Sequence, residues 1–345
     1  MSMNTNFPRR TVLKGLGAAM VAPLAMPAIA QPRRRLVVQA PGGVYEETLR
    51  SKIIPDFEAK HGYEVVFVAG SSPTIIPKIL ASRSNPPFDV VTINNDISFI
   101  GQEADLWETG IADRLPLLDR IYPSMKPPET GMYGLMYYEY PLVYNTSTMD
   151  APTRWMDLWE KDITVAVPNL AASYGMTFLY IAALLHGGDA ENLDPGFEAI
   201  KRLPRYKIYN NVTQGLNLFQ QGEADAGLFY GHRAQQMMNS GLPIAKVRPS
   251  EGIWGQRTGA QIPRNASNLE GAIEWINMAL DVPYQTELAQ FLYAPTNMDV
   301  VLTGDAAEQN LMGAELAATV QEAPWQIILP QRDVLLDRWT REIRS

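Results

Sequence analysis

The sequence predicts an α/β protein built as two lobes, and three observations lead there. Strand and helix signals alternate along residues 36–300, each strand pattern runs into a Gly, Ser, Pro or Asn cluster, and a Tyr-rich extended stretch separates one alternating series from the next. In sheets of this kind the loops at the carboxyl ends of parallel strands gather on one side, where ligands bind.

The elements follow in order. Residues 36–39 form a short apolar strand that enters Ala40-Pro41-Gly42-Gly43, and residues 44–60 have helical spacing through Tyr45, Leu49, Ile53 and Phe57. Residues 64–69 are β-branched and aromatic; Gly70-Ser71-Ser72 then opens a helix through Ile75, Ile79 and Leu80. A third strand at 88–93 ends in Asn94-Asn95-Asp96, ahead of a helix with Phe99 and Leu106. Residues 131–144 form one long extended stretch containing Tyr133, Tyr137, Tyr138, Tyr140 and Tyr144, followed by a helix around 153–161. The second series starts with a strand at 163–167, the loop 168–173 and an apolar helix over 174–186. It continues with a helix at 197–203, a strand at 206–209, a helix at 213–222 and strands at 226–230 and 244–248. Residues 259–263 form a return crossing, and Ala272, Ile276 and Leu280 mark an amphipathic helix. The expected crossings between lobes lie near 141–146 and 250–263.

Composition narrows the chemistry. The chain of 345 residues is 46 % hydrophobic and 19 % charged, enough to bury sizeable cores as a globular protein. It has no cysteine, so disulfides, thiolate catalysis, iron–sulfur ligation and a lipid-modified Cys are excluded. The net charge of −8 argues against a binder of phosphate backbones, so no nucleic-acid partner is expected. The three histidines, His61, His186 and His232, are scattered. No HExxH, Asp-rich metal loop, G-x-S-x-G elbow or P-loop occurs, so no metal, cofactor or catalytic residue is expected.

The first acid is Glu46. Ahead of it, Arg9-Arg10-Thr11-Val12-Leu13-Lys14 precedes a small-residue apolar run over 15–30 that contains Pro23 and Pro27 and ends in Ala28-Ile29-Ala30. This resembles a twin-arginine export signal with cleavage after Ala30; the run is shorter than the roughly 20 residues a bilayer-spanning helix needs. Residues 1–30 are therefore expected to be removed by signal peptidase after the twin-arginine translocase. That would leave an acidic, soluble periplasmic chain.

Ordered landmarks then carry a family resemblance. They are Pro41-Gly42-Gly43, Phe88-Asp89-Val90-Val91, Tyr144-Asn145-Thr146 before Trp155-Met156-Asp157-Leu158-Trp159, Gly222-Glu223-Ala224-Asp225-Ala226-Gly227, and Ile262-Pro263-Arg264-Asn265-Ala266 with Leu269-Glu270-Gly271-Ala272-Ile273. Together they resemble the extracellular solute-binding proteins of polyamine, ferric-iron and thiamine importers. The resemblance implies a type II periplasmic binding protein: lobe one from 36–142 and 258–300, lobe two from 143–257, and a C-terminal helical segment at 301–345. It implies a monomer, not an enzyme, that closes on a small solute and delivers it to an ABC permease in the inner membrane. A sensor-type partner and a twin-arginine-exported cofactor enzyme are the alternatives.

The expected ligand-binding residues are Gly43, Tyr45, Ser71, Ser72, Asn95, Tyr138, Ala172, Ser173, Tyr174, Tyr230, Arg233 and Arg257. Ser173 would either bind an anion at a helix N-terminus or simply cap it. Iron-binding relatives carry an adjacent Tyr pair near Tyr230-Gly231-His232-Arg233; this chain does not. Trp254-Gly255-Gln256-Arg257-Thr258 lacks the aromatic-x-acid pattern of polyamine binders, and residues 171–177 contain no acid. Arg233 and Arg257, as bidentate donors, suit a carboxylate or phosphate, or else a surface or hinge salt bridge. Spermidine or putrescine and ferric iron remain alternatives.

Overall fold

In the computed structural model, which describes Met1 and residues 34–126, 130–309, 317 and 319–343, the helices pack on two sheets. The expected export signal at 1–30 falls outside the described residues, apart from Met1. Both sheets lie in one compact unit beginning at Arg34.

The first sheet starts with β1 (Arg34–Ala40), whose inner end is buried on both faces as a central parallel strand requires. A helical stretch follows: α1 (Val44–Thr48), a wider turn at Leu49–Ile53, and α2 (Ile54–His61). Tyr45, Leu49, Ile53 and Phe57 form its buried stripe, as their spacing predicts. Gly62, at φ 71°, ends α2 in the left-handed conformation that glycine adopts without strain. Next come β2 (Tyr63–Ala69), α3 (Ile75–Leu80), β3 (Val90–Asn94), α4 (Asn95–Glu103) and β4 (Tyr133–Glu139). α4 stops at Glu103, short of the Leu106 expected in it.

The expected single stretch over 131–144 divides into β4 and β5 (Leu142–Asn145), which belong to different sheets. Pro141 lies at the break; it has no N–H to donate to a ladder. This is the outward crossing. The second sheet adds α5 (Asp157–Glu160), β6 (Thr164–Pro168), α6 (Ser173–Leu185), α7 (Asp194–Lys201), β7 (Arg205–Tyr209), α8 (Val212–Gln220), β8 (Ala226–Leu228), α9 (Gly231–Asn239) and β9 (Ile244–Val247). Its order is β7-β6-β8-β5-β9, with β6 parallel to β7 and β8. The expected strand over 226–230 stops at Leu228, and α9 was not anticipated.

The chain returns through β10 (Ile253–Gln261), followed by α10 (Leu269–Ala279), α11 (Val282–Ala289), β11 (Ala294–Pro295), α12 (Asp305–Gln309) and β12 (Val320–Gln321). Short helices at Trp325–Ile328 and Arg332–Glu342 follow. The first sheet reads β11-β4-β10-β3-β1-β2, with β12 added to β10. β1 runs parallel to β2 and β3, while β10 is antiparallel to β3 and β4. Gly255, Gln256 and Arg257, expected in lobe two, pair in the first sheet with Glu139, Tyr138 and Tyr137. Glu139, buried at the outward crossing, accepts from Arg248 at 2.6 Å and faces Lys246 at 3.6 Å on the returning chain.

One glycine is dictated by packing. A Cβ on Gly175, in the first turn of α6, would sit 2.1 Å from the carbonyl oxygen of Asn169. Gly175→Val is expected to cost about 3 kcal/mol through overpacking. Urea unfolding checks this; a loss below about 0.5 kcal/mol, the scatter of innocuous substitutions, would contradict it.

Candidate functional site

The site begins with two loops of the second sheet. β6 ends at Pro168, and the Asn169 side chain accepts the Ala171 N–H at 2.9 Å while donating to Asn210 at 2.7 Å, which turns the chain into α6. Ala172 is the extended N-cap of α6 and, being Ala, has no side chain to cap its N–H groups. Ser173, the first helical residue, uses its hydroxyl differently: it donates across the lobes to Asp96 at 2.5 Å. The N-cap position open to Ser173 in the sequence is therefore occupied by Ala172, and no side chain caps α6. After β8, Tyr230 is the N-cap of α9 and also lacks a side-chain cap bond. The first turn of α9 carries His232 and Arg233.

Facing these loops are the carboxyl ends of the first sheet's parallel strands. Pro41 and Gly42 follow β1, residues 69–73 follow β2, and Asn94 ends β3. Tyr138 of β4 and Tyr293, ahead of β11, complete a cavity of about 620 Å³ between the two sets of loops. That volume lies within the range of small-molecule sites. Two larger-scale features of the fold thus meet here, since strand ends from both sheets line one space.

Its wall is aromatic. Tyr138 packs edge-on against Tyr293 at 5.4 Å and Tyr230 at 6.1 Å between ring centroids, and Tyr174 lies 5.1 Å from Tyr230. His232 sits among them, 5.5 Å from Tyr138 and 5.4 Å from both Tyr230 and Tyr293. Burial, with the positive charges of Arg233 and Lys246, pushes the His232 imidazole down to about 3, so it is neutral. Burial raises the phenols of Tyr138 and Tyr230 above their ordinary range and that of Tyr174 to about 12. Among the described residues, the hydroxyls of Tyr138, Tyr174 and Tyr293 hydrogen-bond to no protein group. Among the described lining residues Arg233 is the one charged side chain, and it donates to Gln236 at 2.9 Å.

Eight expected site residues line this cavity: Ser71, Ser72, Tyr138, Ala172, Ser173, Tyr174, Tyr230 and Arg233. Four do not. Gly43 sits one residue beyond the lining Gly42, at φ 69°, as the N-cap of α1. Tyr45 is fully buried, its hydroxyl 2.5 Å from that of Tyr284, and it supports the cavity only through an edge contact with Tyr293. Asn95 is turned inward, donating to Glu322 at 3.0 Å and accepting from Thr130 at 3.0 Å, so Asn94 lines the cavity in its place. Arg257 is paired with Glu322 at 2.6 Å, away from the lining. His232, Tyr293, Asn94 and Val212 were missed. His232 offered a signal, since it lies between Tyr230 and Arg233; Tyr293 offered none.

Residues 52–314 match the family of bacterial extracellular solute-binding proteins. The spermidine/putrescine-binding periplasmic protein of Salmonella typhimurium is 23% identical over 200 residues, covering 56% of this chain and 57% of that protein. The aligned part is thus little more than half of that relative's length. The spermidine/putrescine-binding periplasmic protein 1 of Haemophilus influenzae is 25% identical over 270 residues, 73% of each chain. The crystal structure of an ABC transporter from Clostridium perfringens superposes with a TM-score of 0.79 at 21% identity, covering 89% of this chain and 99% of that one. The fold expected from the sequence, two α/β lobes of the type II periplasmic binding class, is the fold observed.

Proposed function

The chain belongs to the family of bacterial extracellular solute-binding proteins, and from that premise we propose that it is the periplasmic substrate-binding subunit of an ABC importer. It captures a small organic solute bearing a carboxylate between its lobes and hands it, unaltered, to a permease in the inner membrane. The observation that carries this reading is the convergence of strand-end loops from both sheets on one cavity in which, among the described residues, Arg233 carries the charge. The family and fold are those of binding proteins. Export by the twin-arginine translocase, with cleavage after Ala30, belongs to the same proposal. No helix of the described residues is long and apolar enough to cross a membrane.

The polyamine-binding relatives supply a second reading, spermidine or putrescine in the same cleft. The lining argues against it, because a dication would face Arg233 with no carboxylate in the wall. Ferric iron is disfavoured too, since Tyr230-Gly231-His232-Arg233 holds no adjacent tyrosine pair.

Thermal-shift screening of the exported chain against carboxylates, amino acids, polyamines, thiamine and ferric salts tests the proposal. A stabilising carboxylate is expected, since a ligand at a hundred times its Kd adds about 2.7 kcal/mol to the folded state. Stabilisation by spermidine would favour the second reading, and a stoichiometric bound cofactor would overturn both.

A further inference from the structure

The cleft's charge has a further consequence, which rests on the solute-binding reading above. We infer that the solute is an organic acid without an ammonium group, with its carboxylate on Arg233 and an uncharged body against the Tyr138–Tyr230–Tyr293 wall.

The inference turns on where the nearby carboxylates are engaged. Among the described residues, Asp96 touches the lining residue Ser173 and Glu139 lies beside Gly231 at the start of α9. Asp96 stands behind Ser173, accepting from the Ser173 hydroxyl at 2.5 Å and from Gln256 at 3.3 Å. It is 5% exposed, and each of its oxygens already meets one of those two donors. Glu139 lies beneath the start of α9, but Arg248 at 2.6 Å and Lys246 at 3.6 Å already meet its charge. An ammonium group in the cavity would therefore give up its water without gaining a counter-ion.

Arg233 is in the opposite position. No carboxylate lies within ion-pair distance of it among the described residues, and its one protein acceptor is the neutral Gln236. A ligand carboxylate would supply the missing partner. The first turns of α6 and α9 face the same cavity without capping side chains, which favours negative charge there. The neutral rings and unpaired tyrosine hydroxyls leave the rest of the cavity suited to an apolar body with hydroxyl or carbonyl groups.

Calorimetric titration of the full exported chain with glutarate, 4-hydroxybenzoate, 4-aminobutyrate and putrescine tests this. At least one of the two acids should bind the wild-type chain, and neither amine should. Arg233→Gln should weaken that acid at least about thirtyfold, the lower bound for removing one partner of a desolvated charge pair. Arg233→Lys should recover part of the loss, and Arg233→Glu should abolish acid binding and admit putrescine. An unchanged melting temperature of each unliganded variant serves as the folding control. Binding of 4-aminobutyrate or putrescine to wild type, acid binding that survives Arg233→Gln, or no response to either acid at millimolar concentration overturns the inference. Putrescine binding would leave the solute-binding reading standing. Failure of every probe, together with the full thermal-shift panel, would remove that reading as well.

Discussion

Replacing Glu322 with Ala is expected to destabilise the protein by about 3–5 kcal/mol, the cost of removing one member of a buried ion pair. The Glu322 side chain is 4% exposed and accepts from Asn95, Gln256 and both the backbone and the side chain of Arg257. It ties the C-terminal segment to β10 and to the start of α4, the three pieces that sit behind the cleft. Its removal takes from the Arg257 guanidinium, itself 20% exposed, a carboxylate that lies 2.6 Å away. Burial already raises the Glu322 carboxyl above its ordinary range, which marks its charge as costly to keep there. A paired replacement, Glu322→Leu with Arg257→Met, should recover much of the loss, because the desolvation cost disappears along with the attraction. Urea unfolding of the single and double variants measures both. A single-variant loss below about 1 kcal/mol, the value of an exposed pair, would contradict this account of the network.

Stability should also depend on the protonation of Asp96. Burial raises this carboxyl from an ordinary 3.8 to about 6, against a lowering by the Ser173 hydrogen bond. A folded-state value above the unfolded one means that folding favours the protonated form. The resulting stabilisation is complete below about pH 4 and is lost as the pH rises through about 6. The difference corresponds to about 3 kcal/mol at 1.36 kcal/mol per unit. Asp96→Asn should therefore match the wild type near pH 4 and exceed it by about that amount at pH 7.5. Paired urea titrations between pH 4 and 8 isolate this contribution, because the exposed acids elsewhere are common to both chains. Equal stability of the two chains across that range would show that Asp96 is less confined than its contacts with Ser173 and Gln256 imply.

The parts of the site that could be read from the sequence are those set by chain direction. Gly70-Ser71-Ser72 and the loop 168–173 each follow a β-branched strand and precede a helix, and in a parallel arrangement such loops gather at one edge. Tyr230 and Arg233, which follow β8, line the cavity for the same reason. What could not be read is where long-range partners pull a side chain. Arg257 resembles a cleft arginine until Glu322, 65 residues later, claims it. Asn95 and Asn94 are indistinguishable in sequence, yet the turn from β3 into α4 sends one inward and leaves the other in the cavity. Tyr45 begins a helix at a strand end, as a ligand-stacking residue would, but the buried stripe of that helix takes it into the core. Within 131–144 β-propensity continues throughout, so only Pro141 and the crossing expected near 141–146 mark its division between two sheets.

Native mass spectrometry of the exported chain, loaded with an acid that stabilises it, tests the central claim most directly. The account predicts one solute per chain, released on denaturation with its mass unchanged. It also predicts weakened retention by Ala172→Trp, whose ring would take up part of the cavity, and none by Arg233→Glu. A released molecule of altered mass, or full occupancy of the Ala172→Trp chain, would contradict a cleft that holds a solute between two lobes and gives it up intact.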